Sequence, residues 1–168
     1  LMERQNFMGT FFFKKRHDLN FEDFDQFVEE DLKKAKDKAK KLLGVDAMFV
    51  NEFNPIIVST PLPTTKTIEP IYIYGEDRMR YDLAQFAALY FSKDVMFYYK
   101  SVIDHKTGAN FNDKVVEIPY KRIKTINTSS KFTQVNNLNH HVFEIEIVLD
   151  GLDNIVIPLR ILLVDETT

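Results

Sequence analysis

The chain has 168 residues, enough for one domain with a real core, and its 45% hydrophobic and 28% charged residues are ordinary for a globular protein. It contains no cysteine, which excludes disulfides, thiolate nucleophiles, zinc–thiolate sites and iron–sulfur clusters. Only 5 glycines leave little room for Gly-rich phosphate loops, a net charge of −3 argues against a nucleic-acid binder, and 15 Phe without Trp favour sheet packing over a helical bundle.

Residues 1–18 read as an N-terminal arm. Leu1 is not an initiator, and Met2 and Met8 are the candidate starts. Phe7, Phe11, Phe12 and Phe13 are followed by Lys14, Lys15 and Arg16. A secretory signal has its cations before a longer apolar region, so this is not one. The segment can pack its aromatic rings on the sheet. Alternatively, Phe11, Phe12 and Phe13 can enter a membrane interface with Lys14, Lys15 and Arg16 at anionic headgroups. Three cations and four phenylalanines make a weak anchor, which favours packing. No apolar run approaches the roughly 20 residues that span a bilayer.

The spacing predicts a helix over 20–43. Asn20 is placed as its N-cap with Asp23 three residues on, and Leu19 with Phe24 as a hydrophobic staple. Phe21, Phe24, Val28, Leu32, Ala35, Ala39 and Leu42 recur at three- and four-residue steps, forming one apolar stripe. Gly44 is the expected C′ residue. Acidic residues fill the first half and lysines the second, which suits the helix dipole. The stripe needs a sheet to lie on, and its near-heptad spacing also allows self-association through the helix.

Residues 44–67 form an irregular lead-in, with Asn54-Pro55, Pro61 and Pro63 marking turns and 56–58 a short strand. Residues 68–74 read as a strand and 75–78 as a turn. Asp77, Arg78, Arg80 and Asp82 are close enough in sequence to pair with one another in a solvated loop.

The chain is organised around 81–126. Residues 81–91 are apolar and aromatic and 95–103 β-branched and aromatic, separated by the turn formers Ser92, Lys93 and Asp94. Asp104 to Gly108 is the next reversal, where Gly108 supplies a positive φ. Strands resume at 114–118 and 121–126. Pro119 marks a strand end, and the spacing of Ile123 and Ile126 predicts a bulge or short helical turn.

The segment Glu117-Ile-Pro-Tyr-Lys-Arg-Ile-Lys-Thr-Ile126, following the hairpin 89–99, resembles bacterial pleckstrin-homology-like domains, which commonly carry an (I/V)-P-Y-x-x-I-x-x-I run after such a hairpin. Glu69-Pro-Ile71 with Arg80-Tyr81 is similar to small bacterial proteins that place a helix before such a domain. The resemblance covers 68–163 and implies a bent sheet or small barrel that binds lipids, peptides or proteins. Relatives that bind phosphoinositides place cations around an early strand–loop–strand. Here the loops at 92–94 and 104–106 hold few cations and some acids, against that ligand. The chain also lacks the family's C-terminal capping helix, and the helix over 20–43 is expected to cover an open end or a face of the sheet instead.

Beyond it, 127–130 and 136–139 read as polar loops with 132–135 paired between them. Residues 140–149 alternate, with Phe143, Ile145, Ile147 and Leu149 inward and Glu144 and Glu146 outward. After the turn 150–154, strand 155–163 returns, and Pro158 places it at an edge or a bulge.

No H-E-x-x-H, G-x-S-x-G, Walker A or dinucleotide fingerprint occurs. His17, His105, His140 and His141 have no ligand spacing, and adjacent His140 and His141 point to opposite faces of a strand. The one basic cluster on the sheet is Lys121, Arg122 and Lys124, with Lys114 upstream. It reads as a solvated edge, or as an anionic-ligand or membrane contact together with Lys14, Lys15 and Arg16.

These residues describe an α+β domain over 19–168: an N-terminal amphipathic helix and a bent antiparallel sheet, or pleckstrin-homology-like barrel, of about seven strands. The expected role is a non-catalytic protein-interaction module in the cytoplasm, needing no cofactor. The runner-up is a peripheral adaptor at anionic membrane on the inner membrane face. An enzyme using carboxylates and His140 or His141 comes third.

Overall fold

The computed structural model describes residues 2–12, 20–44, 54–62, 72–75, 78–135 and 138–164. They contain helices α1 (Met2–Phe11) and α2 (Phe21–Leu43), and strands β1 (Ile56–Pro61), β2 (Tyr72–Gly75), β3 (Arg78–Tyr81) and β4 (Leu83–Phe91). The later strands are β5 (Val95–Asp104), β6 (Ala109–Pro119), β7 (Ile123–Val135), β8 (Leu138–Leu149) and β9 (Ile155–Leu163). The strands form a four-stranded sheet in the order β1-β4-β5-β6, a three-stranded sheet β7-β8-β9 and a hairpin β2-β3, all antiparallel.

The helix α2 begins where its cap chemistry dictates. The Asn20 side chain accepts a hydrogen bond from the Asp23 amide at 3.1 Å, and Gly44 ends the helix in the left-handed conformation. Fully buried Ala35 and Ala39 let it settle closely on Ala84, Phe86, Ala88 and Tyr90 of β4 and on Tyr99 and Ile103 of β5. The opposite face of the same strands, through Ala87, Leu89, Met96 and Tyr98, packs on Ile147, Leu149, Ile155 and Ile157 of the second sheet. The molecule is therefore layered helix on sheet on sheet. Because β4 is covered on both sides, its sequence is apolar from Phe86 to Phe91 without alternation.

The two sheets do not close into a barrel. They turn a corner at Pro119 and the 3-10 turn Tyr120–Arg122, just ahead of the stretch where a bulge or helical turn is expected. The register then shifts between Ile123 and Thr125. Pro158 lies in the outer strand β9 beside a second register shift, as its missing N–H requires. As expected, α2 covers one face of the four-stranded sheet.

Four features differ from the sequence expectations. Most of the described arm is helical: α1 lays Met8 and Phe11 on Phe24 of α2, with the Phe11 and Phe24 rings stacked at 4.5 Å. The run from Tyr81 is broken at Asp82, which ends β3 and caps the start of β4 by accepting the Leu83 amide at 2.8 Å. Arg80 and Asp82 are buried instead of lying in a solvated loop. Arg80 makes a two-pronged contact with Asp25 of α2, at 2.9 Å on each oxygen, and lies over the Phe21 ring. The region 127–130 is the middle of β7 and not a loop, since Thr125 to Val135 pair without a break against β8.

On β8, Ile147 and Leu149 are buried as the alternation predicts, whereas Phe143 is only half-buried. Ile147 and Leu149 pack on the first sheet at that end of β8. At the other end His140 and Val142, on the opposite face, are buried, as a twisted sheet allows. Leu19, with its staple, and the linker 63–67 lie outside the described residues.

Candidate functional site

The sequence-predicted cations are only partly brought together. Lys14, Lys15 and Arg16 lie outside the described residues. Lys121 and Arg122 are exposed on the corner turn, and Lys124 follows at the start of β7. The corner is not purely cationic: Lys124 Nζ lies 3.5 Å from Asp150, whose amide donates to the Arg122 carbonyl at 2.7 Å. Phe11, assigned to a membrane interface in the runner-up reading, is 1% exposed inside the helix pair.

A buried polar network joins three distant segments. Asp31, on the inward face of α2, accepts from Arg4 of α1 and lies 2.7 Å from His105 Nδ1 in the β5–β6 turn. Arg4 also donates to the His105 carbonyl, through Nε at 3.2 Å and Nη2 at 2.9 Å. Burial raises the Asp31 pKa, but hydrogen bonds from His105 and Arg4 outweigh it and hold the carboxyl below its ordinary value. The turn fits around this network through Gly108. Its φ is +81°, and a Cβ there would stand 3.0 Å from Arg4 Nη1 and 3.3 Å from Asp31 Oδ1. Gly108→Ala is therefore expected to cost about 1–3 kcal/mol, measured by urea unfolding. The network links both helices to the sheet, a structural role.

The third feature is the outer edge of the second sheet. β7 pairs with β8 on one side, and among the described residues no strand pairs with its other side. Residues 124–132 are each exposed. Alternate backbone N–H and C=O groups of such a strand face outward and lack strand partners. Ile126, at 59%, and Phe132, at 71%, are its exposed large hydrophobic side chains. The unbroken register puts both on one face, six residues apart. Phe132 is held by the His141 ring, stacked at 4.5 Å, which in turn touches Phe143 at 4.3 Å. Lys131 reaches Glu144 at 3.0 Å, so the strand's charges are met within the chain. Sequence reasoning missed this edge because Ser129 and Ser130 read as loop. The β-branched Thr125, Ile126, Thr128 and Thr133 were the available signal.

Between the sheets lies a cleft of about 350 Å³ bordered by Pro61, Leu62, Gln85, Val142 and Pro158. Lys131 and Glu144, paired at 3.0 Å, also border it. Among the described residues no three His, Asp or Glu side chains converge as metal ligands, and His140 and His141 project to opposite faces of β8. No described helix is long and apolar enough to cross a membrane. No protein-family model, curated protein or solved structure gives a significant match to this chain.

Proposed function

We propose that the chain is a non-catalytic protein-interaction module that docks an extended segment along β7. The exposed edge carries this reading: one long strand has, among the described residues, no strand neighbour on one side and presents Ile126 and Phe132 on one face. Strand addition to such an edge satisfies the backbone groups of both partners, while alternate side chains supply selectivity. The resemblance to pleckstrin-homology-like domains fits a docking role, and the run 117–126 that carries it leads directly into β7.

The test is peptide selection. A random peptide display library panned on the immobilised protein is expected to enrich extended, alternating sequences. Their binding is expected to fall at least tenfold in a Phe132→Glu variant, whose side chain is too exposed to affect folding. Enrichment indifferent to Phe132→Glu, or none at all on monomeric protein, would overturn the reading. Flotation with anionic vesicles separates the membrane-adaptor alternative. Salt-sensitive binding there, with no peptide selected, would replace the module reading.

A further inference from the structure

We propose that the occupant of the β7 edge is a second copy of this chain, paired antiparallel about a two-fold axis at Ser129. This rests on the reading of β7 as the docking strand and names its partner. Register selects this partner. An antiparallel segment docked here must set an apolar side chain opposite Ile126 and another opposite Phe132, and β7 itself does so. With Ser129 opposite its own copy, Ile126 meets Phe132 and Phe132 meets Ile126, joining the exposed large hydrophobic side chains of the strand twice over.

Charge selects the same register. Ser129 on the axis sets Lys124 opposite Gln134 and Lys131 opposite Asn127, so no like charges face each other. Shifted by one residue, Lys131 faces Ile126. Centring the pair between Asn127 and Thr128 sets Lys124 against Lys131, and centring it on Lys131 sets that lysine against itself. Each alternative also separates Ile126 from Phe132. Lys124 and Lys131 are partnered by Asp150 and Glu144 in their own chain, so neither stands as a bare charge guarding the edge. The paired copies would make one continuous sheet from two three-stranded sheets.

The full chain supplies a direct test, because it has no cysteine of its own. Ser129→Cys is expected to oxidise to a disulfide-linked dimer, since residues facing themselves across antiparallel strands lie about 4.5–5.5 Å apart, within disulfide reach. Asn127→Cys and Lys131→Cys are expected not to cross-link, because each lies about 13 Å along the strand from its own copy. In sedimentation equilibrium Phe132→Glu is expected to weaken the dimer about tenfold or more, as the change counts twice by symmetry. The double variant Ile126→Lys with Phe132→Glu is expected to restore association in a salt-sensitive form. Both positions are exposed, so loss of dimer is not loss of fold. A monomer at all concentrations, a dimer indifferent to Phe132→Glu, or cross-linking equal at 127, 129 and 131 would each overturn the proposal. A monomer that still selects peptides along β7 would remove the second copy and leave the docking reading; a monomer that selects none would remove both.

Discussion

Replacing Asp31 with alanine is expected to lower the unfolding free energy by about 3–5 kcal/mol, because it strips the carboxylate from a buried Arg and a buried His at once. The Asp31 side chain is 1% exposed, and Arg4 and His105 both turn to it from segments far away in sequence. Without it, a guanidinium and an imidazole remain desolvated with only the His105 carbonyl between them. Urea unfolding measures the loss. The double variant Asp31→Leu with Arg4→Met is expected to be less destabilised than Asp31→Ala alone, since it removes both charges together. The effect depends on pH in a fixed direction. The folded carboxyl titrates below its unfolded value of about 3.9, so its stabilisation is complete above that value. It is lost as pH falls through the lowered folded value. The gap between wild type and Asp31→Ala should therefore be constant near neutrality and shrink in acid below about pH 4. A gap unchanged down to pH 2 would show that the carboxylate does not hold this network.

Phe86→Ala is expected to cost about 3–5 kcal/mol, the usual range for truncating a fully buried phenylalanine. Phe86 is completely enclosed between the Ala35–Ala39 face of α2 and the edge of the Tyr99 ring, centroids 5.9 Å apart. Its neighbours belong to α2 and to β4 and β5, so the space cannot close without moving a whole layer. The matched control is Phe132→Ala, at 71% exposure, which is expected to change stability by no more than about 0.5 kcal/mol at low protein concentration. The contrast separates an aromatic residue that holds the fold from one displayed at its surface. Similar losses at both positions in chemical denaturation would contradict the layer assignment.

What could be read from the sequence follows the range of the interactions concerned. The helix over 20–43 is a local object: its cap at Asn20, its stop at Gly44 and most of its stripe are set by neighbours within four residues. The turns at 92–94 and 104–108 are likewise written in Asp, Ser and Gly. The stripe nevertheless hid a polar member, Asp31, whose partners stand 27 and 74 residues away, a spacing that no local pattern reveals. Most of that stripe lies on the sheet and on α1, while Leu42 at its end stays exposed. The helix α1 escaped notice because Met8 and Phe11 find their face only when Phe24 is there to receive them. β7 escaped because Ser129 and Ser130 have weak strand preference of their own. Pairing with Phe143 and Glu144 of β8 is what extends them. The basic cluster at Lys121, Arg122 and Lys124 was legible as charge, but the acid that meets it, Asp150, arrives from the β8–β9 turn.

β7 is proposed as the working surface of the molecule. Amide hydrogen exchange, resolved along the chain and compared between dilute and concentrated protein, tests it most directly. At low concentration the outward-facing amides between Thr125 and Thr133 should exchange fast while their inward neighbours, bonded to β8, are protected. At high concentration the outward set alone should slow. Slowing confined to α2 or to the inter-sheet cleft, or exchange along β7 that ignores concentration and selected peptides alike, would contradict the claim.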